Sequence, residues 1–464
     1  MDVRDISEDL VTFLVETQYE DLPAEVVHET KRSLLDSVGS AIAGIATDKG
    51  KIAVSVARRA GGRPESVILG VGDRVSSSNA AMANGELINA LDYDDIPHVQ
   101  PFAIPPALAV AESTGASGKD LILATTLAQE VCRRFTLALS VMTKKLMEEA
   151  KNPEVFGNAN ECIVGATAGA AKILGLETER MAQALGISAY LCPLPVCRNW
   201  EEAVPKSMIK YVPIGWICNG AVTAAHFAWE GYTANPRVFD GDRGFWRFYG
   251  AERWEPEMIM DELGKKWRFM EKSFKPYPCC TFFHAQLDAF ISIIEKNRLQ
   301  PDDIDSVDSY SIPFVASPVP YDVETQVDVQ FSLPFVLAVA AHRIREGAKW
   351  QEHETINDPR IRAFMKKVTM HVDPQIIEKK KKDPKAWPAR VEVKALGKTY
   401  VGETLYARGT NFTEFRATDE ALMEKFRRNA SRLLTPNRID QAIDRIFSLD
   451  KAENLSQLTD TVGL

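Results

Sequence analysis

Apolar residues recur at three- and four-residue spacing from the start of the chain to about residue 262. One such series comprises Val26, Val27, Leu34, Leu35, Val38, Ile42 and Ile45. This spacing puts the apolar side chains on one face of a helix, where they can pack against a neighbouring helix. The pattern therefore predicts a helical body for this part of the chain.

Two helices in this part have recognisable ends. Ser117 and Asp120 form a capping box ahead of an apolar run at 121–139. Gly175 follows a stretch at 164–174 that is rich in alanine and glycine, and glycine commonly follows the last turn of a helix. The small side chains of that stretch let neighbouring helices approach closely, which indicates a compact helical domain.

The pattern changes after about residue 265. Short segments rich in β-branched and apolar residues predict strands at 306–312, 368–372, 389–395 and 398–405. Helices are predicted between them at 280–296, 327–346 and 356–366, and this alternation indicates a smaller α+β domain. The charged helical segment at 418–449 is expected to pack back onto the first domain. The predicted fold class is mainly α, with an all-helical domain at 1–265 and 410–464 and an α+β domain at 266–409.

Composition and charge exclude several classes of function. The chain has 464 residues and a net charge of −9, which disfavours nucleic acid as a partner because phosphate backbones need a positive surface. Neither a Gly-x-Gly-x-x-Gly fingerprint nor a P-loop occurs, so nucleotide chemistry is not indicated. The one basic run, at 379–382, is interpreted as a solvated loop.

The first residues are polar and acidic, and no uncharged apolar stretch of about 18 residues follows. We therefore expect a cytoplasmic protein with no membrane partner. Seven cysteines, an odd number in a large chain, indicate reduced thiols rather than a disulfide framework. None is spaced as a metal or cluster ligand, so no metal site is predicted.

The first candidate chemical cluster contains three aspartates and a histidine: Asp92, Asp94, Asp95 and His98. Asp92 and Asp95 lie one helical turn apart and would share a face. A carboxylate beside His98 would hold its imidazole in one tautomer and raise its basicity, which suits general acid–base catalysis. The alternative interpretation is that these acids cap helix ends and solvate a loop.

A second cluster, at 205–211, contains Lys206, Ser207 and Lys210. Lys206 and Lys210 lie four residues apart, so on a helix they would share a face. Together they would bind a carboxylate, with the pKa of one lysine lowered. The alternative is ordinary surface charge, which is the usual fate of lysine.

The third cluster is the segment KPYPCC at 275–280, which leads toward His284. A thiol at a helix N-terminus can have a lowered pKa, so Cys279 or Cys280 is a candidate nucleophile; the alternative is a buried apolar side chain. His284 and Asp288 stand at i and i+4 of the predicted helix, where they would form a pair, most simply a structural hydrogen bond.

The three clusters, in this order and at these distances, resemble the MmgE/PrpD family, which includes 2-methylcitrate dehydratase, cis-aconitate decarboxylase and iminodisuccinate epimerase. The resemblance spans nearly the whole chain. It rests on LLDSVG at 34–39, the stretch from Asn84 and Gly85 to Asp95, the lysine motif before Gly215 and Trp216, KPYPCC with His284, and QFSLP at 330–334.

The resemblance implies a large helical domain built from both ends of the chain, a smaller α+β lid and a homodimer. It also implies a small di- or tricarboxylate substrate, a site in the cleft between the domains, and no metal or organic cofactor. By motif, the implied catalytic residues are Asp92, His98, Lys210 and Lys275, with His98 oriented by Asp92 or Asp95. The implied substrate-binding residues are Asp95, Lys206, Ser207, Cys280 and Tyr321.

The sequence also departs from the family's pattern. The loop between Asp95 and His98 is shorter, Phe156 stands where a histidine is usual, and Cys280 replaces a histidine of the decarboxylases. These differences argue against decarboxylation of cis-aconitate and against exact specificity for 2-methylcitrate. Dehydratases are prevalent in the family, so the resemblance implies a dehydratase-like lyase. The alternatives are a dicarboxylate epimerase and a catalytically silent helical scaffold.

Overall fold

Helices account for most of the chain in this computed structural model, which describes residues 6–139, 157–251, 254–313, 315–316, 322–411 and 414–463. The helices up to residue 260 are α1 (Ile6–Glu16), α2 (Ala24–Gly44), α3 (Asp48–Ala60), α4 (Ser77–Asn89), α5 (Gln100–Thr114), α6 (Gly118–Leu139), α7 (Cys162–Ile173), α8 (Thr178–Leu191), α9 (Cys197–Glu202), α10 (Ile214–Trp229), α11 (Phe245–Phe248) and α12 (Glu257–Met260). Those that follow are α13 (His284–Lys296), α14 (Gln326–Gln330), α15 (Leu333–Ala341), α16 (His353–Ile356), α17 (Pro359–Met365), α18 (Pro374–Lys382), α19 (Asp419–Ala430), α20 (Pro436–Phe447) and α21 (Ser456–Val462). The mainly α fold predicted from the hydrophobic pattern is confirmed.

The strands are β1 (Ser66–Val67), β2 (Arg74–Val75), β3 (Ile304–Ser311), β4 (Val368–Val372), β5 (Ala389–Ala395) and β6 (Lys398–Thr404). β1 and β2 form a small antiparallel pair that the sequence did not predict. The other four form one sheet in the order β4-β3-β5-β6, in which only β3 and β4 run parallel. Alternate residues of β5 are buried, and α13 packs on β5 and β6, which gives the α+β character expected for this part of the chain.

Close helix contacts occur where the sequence carries small residues. α6 packs on α7, and a Cβ placed on Gly165 of α7 would lie 2.5 Å from the Ala128 carbonyl oxygen and from the Cys132 amide nitrogen. No side chain larger than hydrogen fits at that distance. The predicted capping box is also present, since the Asp120 amide donates to Ser117 Oγ at 3.2 Å and the Ser117 amide to Asp120 Oδ2 at 2.9 Å.

The buried apolar residues of the described chain form two large clusters. One is built mainly from residues between 6 and 274, together with residues 422–462 of the last helices. The other is built from residues between 277 and 395. The C-terminal helices join the first cluster, and a Cβ placed on Gly39 of α2 would lie 3.0 Å from the Phe426 ring of α19. The domain boundaries themselves stay a prediction.

Two local expectations were wrong. The basic run at 379–382 is the C-terminal end of α18 rather than a loop, and Lys380 lies against the Trp387 ring while donating to the carbonyls of Pro384 and Ala386. The helix predicted over 327–346 is two helices, α14 and α15. Ser332 separates them, because its side chain caps α15 by accepting from the Phe335 amide.

None of the helices in the described part of the chain is long and apolar enough to cross a membrane. All seven cysteines are unpaired, and six of them are buried. That the thiols are reduced stays a prediction.

Candidate active site

The candidate site forms where loops from both halves of the chain meet. Asp92 and His98 lie in the connection between α4 and α5, Lys210 lies four residues before α10, and Lys275 belongs to the loop that leads to α13. The loop after α4 pairs with the lysine-bearing loop through two backbone hydrogen bonds between Ile96 and Ser273, of 2.9 and 3.0 Å. The backbone thus brings sequence-distant clusters together.

Asp92 is clasped between two lysines. Lys210 Nζ lies 2.5 Å from Asp92 Oδ1, and Lys275 Nζ lies 2.7 Å from Asp92 Oδ2 and 2.9 Å from the Asp92 carbonyl oxygen. All three side chains are at most 1% exposed. The structure therefore brings together three of the four residues predicted to be catalytic, as one buried charge cluster.

Burial alone would raise the pKa of Asp92, but the charges of Lys210 and Lys275 outweigh it and hold that pKa well below its usual value. Burial lowers the pKa of Lys210, and Asp92 only partly offsets this. Burial also acts to lower the pKa of Lys275, but there Asp92 and Asp94 prevail and the pKa is raised. Asp92 is thus an ionised carboxylate between two unequal ammonium groups.

His98, the fourth predicted residue, lies beside this cluster. Its Nδ1 is 2.7 Å from Asp94 Oδ2, and its Nε2 is 3.9 Å from Asp92 Oδ1. Asn89 donates to the other oxygen of Asp94 at 3.0 Å. Burial would raise the pKa of Asp94, but the charge of His98 and its hydrogen bond lower it. Asp94 therefore accepts from Nδ1–H and leaves Nε2 on the side of Asp92.

Sequence reasoning missed the role of Asp94. It expected Asp92 or Asp95 to orient His98, whereas the structure gives this contact to Asp94. No spacing signal in the sequence identifies Asp94, because the segment is not helical. Asp92 and His98 both have positive φ angles, of 55° and 66°, so the four-residue separation of Asp94 and His98 does not place them on one helical face.

Side chains from the second half of the chain hold the Asp92 loop in place. Gln330 Nε2 donates to the Ala90 carbonyl at 2.8 Å, and Gln351 Nε2 donates to the carbonyls of Leu91 and Pro278 at 2.8 and 2.7 Å. Lys425 of α19 donates to the Tyr93 carbonyl at 2.6 Å and pairs with Asp36. These bonds explain why the QFSLP and LLDSVG motifs, remote in sequence, accompany the charged cluster.

Two sequence profiles match the chain along most of its length. The MmgE/PrpD N-terminal domain matches residues 8–257, and the MmgE/PrpD C-terminal domain matches residues 277–449. The chain belongs to the MmgE/PrpD family.

The chain is also similar to curated members of the MmgE/PrpD family. It is 26% identical to cis-aconitate decarboxylase of Homo sapiens, over 99% of this chain and 95% of that protein. It is 23% identical to cis-aconitate decarboxylase of Mus musculus, over 94% and 88% of the two chains. It is 25% identical to cis-aconitate decarboxylase of Aspergillus terreus (strain NIH 2624 / FGSC A1156), over 58% of this chain and 56% of that protein.

Asp95, one of the predicted substrate-binding residues, forms neither a hydrogen bond nor an ion pair with the lysines that clasp Asp92 in the described structure. Its Oδ1 accepts from the Gln100 amide at 3.0 Å, and its Oδ2 has no hydrogen-bond partner among the described residues. Burial, followed by the charge of Asp94, raises the pKa of Asp95 to about 7, while Lys272 opposes this. The charged side chains that act on Asp95 are those of Asp94, Lys272 and Asp36 rather than Lys210 and Lys275.

The two polar residues predicted beside Lys210 are placed differently from it. Lys206 Nζ donates to the Glu201 carbonyl and, at 3.4 Å, to the Trp200 carbonyl at the end of α9. Ser207 is exposed, and its carbonyl accepts from the Trp200 indole at 3.1 Å. The structure does not bring either residue to Asp92, and their binding roles stay predictions.

Cys280 is 9% exposed and lies close enough to Asp92 and Lys275 for their charges to act on its thiol. Burial, followed by Asp92, raises the pKa of Cys280 to about 12, so the thiol is neutral and poorly suited to be a nucleophile. Burial likewise raises the pKa of Cys279 well above its usual value. Phe156 and Tyr321 lie outside the described residues.

His284 does not pair with Asp288. It contacts the Cys279 carbonyl at 3.2 Å, while Asp288 accepts from the Tyr277 hydroxyl at 2.6 Å. Burial, followed by the charge of Lys275, lowers the pKa of His284 to about 3, which keeps the ring neutral. In the part of the chain that the structure describes, no group of three or more His, Cys, Asp or Glu side chains is placed to hold a metal ion.

Proposed function

We propose that this protein is a lyase that removes a proton next to a carboxylate of a small di- or tricarboxylic acid, without a metal or organic cofactor. The observation that carries the proposal is the buried cluster in which Lys210 and Lys275 clasp Asp92, with His98 beside it. A buried cluster of this kind favours an enzyme over a silent scaffold, because burying charges is costly and such groups concentrate at functional sites.

The two lysines have donors left for a substrate. An ammonium group carries three N–H bonds. Lys210 uses one of them on Asp92, and Lys275 uses two. Three N–H groups therefore remain to bind carboxylate oxygens. When an α-proton is removed, the negative charge that develops on such a carboxylate meets cations already fixed in a site with little water.

His98 is the proposed base. Asp94 holds the Nδ1 side of the ring, so the Nε2 lone pair is the one available to take a proton. The ionised Asp94 also stabilises the imidazolium that forms. Asp92 keeps both lysines in place while the substrate is absent, and Lys210, whose pKa is lowered, is the better of the two lysines to return a proton.

For the step after proton abstraction, we propose loss of a β-hydroxyl group, as in a 2-methylcitrate dehydratase. The support is Cys280: it replaces a histidine of the decarboxylases and, as a neutral thiol, adds no positive charge to the site. The second candidate is decarboxylation of cis-aconitate, which the names of the relatives favour. Reprotonation on the opposite face, as in an epimerase, is the third.

The experiment is incubation of the purified protein in D2O with 2-methylcitrate, citrate, malate, cis-aconitate and aspartate-type acids, followed by proton NMR. Loss of the α-proton with formation of an alkene indicates dehydration; citrate and malate would then give a new vinyl signal, whereas 2-methylcitrate would give no vinyl proton and its methyl doublet would become a singlet. A product with one carboxylate fewer indicates decarboxylation, and deuterium incorporation at the α-carbon without an alkene indicates epimerisation. His98→Gln and Lys210→Met are expected to abolish the reaction. Lys398→Met, at an exposed position of β6, is the matched control and is expected to have a much smaller effect. No exchange with any acid would argue for the silent scaffold.

We also propose that the protein is a homodimer. The support is a set of large apolar side chains that are exposed in the single chain and lie between residues 190 and 248: Tyr190, Leu194, Val196, Val204, Met208, Ile209, Trp216, Phe227, Trp229, Tyr232 and Phe248. Surfaces of this kind mark interaction sites. Light scattering after size exclusion tests the proposal: a mass near 52 kDa rather than twice the 51.6 kDa of the chain would contradict it.

A further inference from the structure

The Lys210 loop, residues 203–213 between α9 and α10, carries a buried charge on an exposed backbone. Its side chains at 204, 205 and 207–209 are exposed in the single chain, whereas the side chain of Lys210 is fully buried. Lys210 also has a positive φ angle, of 56°. Because the loop buries so little apolar surface, it depends on individual hydrogen bonds to hold Lys210 in this conformation.

Asp328 of α14 supplies one of these bonds from the second half of the chain. Its Oδ1 accepts from the Lys206 amide at 2.8 Å. Its Oδ2 accepts at the start of its own helix, from the amides of Glu324 and Thr325 at 3.2 and 2.8 Å and from the Thr325 hydroxyl at 2.8 Å. Asp328 is only 7% exposed. The two oxygens of one buried carboxylate thus join the Lys210 loop to α14.

A tight turn connects the bond at Lys206 to Lys210. The Ser207 carbonyl accepts from the Lys210 amide at 3.1 Å and from the Trp200 indole at 3.1 Å. The Trp200 and Phe331 rings pack edge to face with centroids 5.0 Å apart, and the Lys210 ammonium lies 5.7 Å from the Phe331 ring. Phe331 directly follows α14, so this helix region contacts the loop both near its start and at Lys210.

α14 also contacts the other two loops of the site. Gln330 Nε2 donates to the Ala90 carbonyl at 2.8 Å, in the loop that contains Asp92. The Gln330 carbonyl accepts from the Cys280 amide at 2.9 Å, in the loop that contains Lys275. One short helix therefore meets all three loops that carry the clasped charges, although these loops come from separate parts of the chain. A common neighbour of this kind sets the relative position of charged groups.

We propose that Asp328 is a positioning residue that fixes Lys210 against Asp92 by tying the Lys210 loop to α14. Its part in the reaction rests on the proposed function, in which Lys210 binds a substrate carboxylate and returns a proton. Asp328 acts through the backbone of the loop. Loss of its bond to the Lys206 amide releases this loop locally, while α14 keeps its bonds to the other two loops.

Asp328→Asn separates the two sides of the carboxylate. An amide side chain has one acceptor oxygen. Three donors face Oδ2 and one faces Oδ1, so the asparagine oxygen is expected to stay with Thr325 and to leave the Lys206 amide without its acceptor. The start of α14 is then kept and the tie to the loop is lost. Asp328→Ala, the second variant, removes both sides.

The measurement is acetylation of the free, full-length protein by N-hydroxysuccinimidyl acetate, with each lysine followed by peptide mass spectrometry. Lys210 and Lys275 are buried in the wild type and are expected to react slowly. In both Asp328 variants Lys210 is expected to react about 10- to 100-fold faster, because loss of one hydrogen bond to a carboxylate raises the population of the open loop by about this factor. Lys275 is expected to stay protected.

The same variants are expected to slow the His98-dependent exchange in D2O by about 10- to 100-fold, because a displaced proton donor loses its geometry for the reaction. Asp358→Asn is the matched control. Asp358 Oδ1 accepts from the Arg360 amide at 2.8 Å at the start of α17, in the same half of the chain. This variant is expected to leave the acetylation of Lys210 and the exchange within about twofold of the wild type.

Continued protection of Lys210 in both Asp328 variants would overturn the proposal. Joint acetylation of Lys210 and Lys275 would also overturn it, since Asp328 would then stabilise the whole site, as would release of Lys210 in Asp358→Asn. If any of these results accompanies His98-dependent exchange in the wild type, the proposed function survives and only the role of Asp328 fails.

Release of Lys210 with unchanged exchange would overturn the positioning role in the reaction, because Lys210 would then have no part in it. If the wild type exchanges no acid, the proposed function fails, and the acetylation experiment still decides whether Asp328 holds the Lys210 loop.

Discussion

Replacing Asp95 with asparagine should stabilise the protein at neutral and alkaline pH. Asp95 is fully buried, and its Oδ2 has no hydrogen-bond partner in the described structure. Asparagine keeps the oxygen that accepts from the Gln100 amide and removes the charge. The pKa of Asp95 is raised to about 7, chiefly by burial, so the folded state holds this proton far more tightly than the unfolded state does.

The sign and size of the effect follow from this difference. An unfolded aspartate has a pKa of about 3.9, so between about pH 4 and pH 7 the folded state binds more protons and the free energy of unfolding falls as pH rises. A difference of about three pKa units corresponds to about 4 kcal/mol, of which about 2 to 3 kcal/mol is lost between about pH 5 and pH 8. Asp95 interacts with Lys272, which makes this an upper value.

Urea unfolding of the wild type and Asp95→Asn, followed by tryptophan fluorescence at several values between about pH 5 and pH 8, measures the effect. The variant should gain stability relative to the wild type as pH rises. Asp305→Asn, at an exposed position of β3, removes the same charge from the surface and serves as the control. A difference between Asp95→Asn and the wild type that does not change with pH, or that falls as pH rises, would refute the assignment of a buried protonated carboxyl.

Three further predictions concern the site, the packing and the thiols. Asp94→Asn should lower kcat about 100-fold with little change in KM, because His98 loses the group that sets its tautomer. Steady-state kinetics on the acid identified by NMR measures this effect, and an unchanged kcat would contradict the prediction. Gly165→Ala should lower the free energy of unfolding by about 1 to 3 kcal/mol, as measured by urea titration, because its Cβ would meet backbone atoms of α6 at 2.5 Å. Gly220→Ala is the control and should be tolerated, because its nearest contact is the end of the Ile163 side chain at 3.3 Å. Titration with Ellman's reagent should count seven thiols after unfolding but at most one fast-reacting thiol in the native protein, since six are buried; several fast native thiols would mean that the burial is wrong.

Much of the fold could be predicted because its signals are local. The strands at 368–372 and 389–395 were predicted to the residue, since β-branched residues and flanking turn residues mark their ends. The failures arose where a distant contact decided the local structure. The aromatic ring of Trp387 and two carbonyl groups turn Lys380 from a solvated charge into a buried one, and nothing in the run at 379–382 indicates this.

The candidate site could be predicted as a set of residues but not as a geometry. Motif order drew attention to Asp92, His98, Lys210 and Lys275, which the structure brings together. Which aspartate would face His98 could not be read from spacing, because the backbone of the loop is not helical. The separation of Lys206 from Lys210 also depends on tertiary structure, since Lys206 donates to carbonyls at the end of α9 whereas Lys210 donates to Asp92.

The backbone of the site supports a functional rather than a structural origin for this charge cluster. Asp92, His98 and Lys210 all have positive φ angles, of 55°, 66° and 56°, which side-chain-bearing residues seldom adopt. Each such conformation costs on the order of 1 kcal/mol and persists only where the surroundings hold it. Here hydrogen bonds from the side chains of Gln330, Gln351 and Lys425 to backbone carbonyls next to Asp92 supply that support. A protein that only needed a stable core would gain by replacing both the strained backbone and the buried charges with apolar packing. The strained backbone and the buried charges coincide at Asp92 and Lys210, with His98 beside them, which is the arrangement that the proposed function would explain.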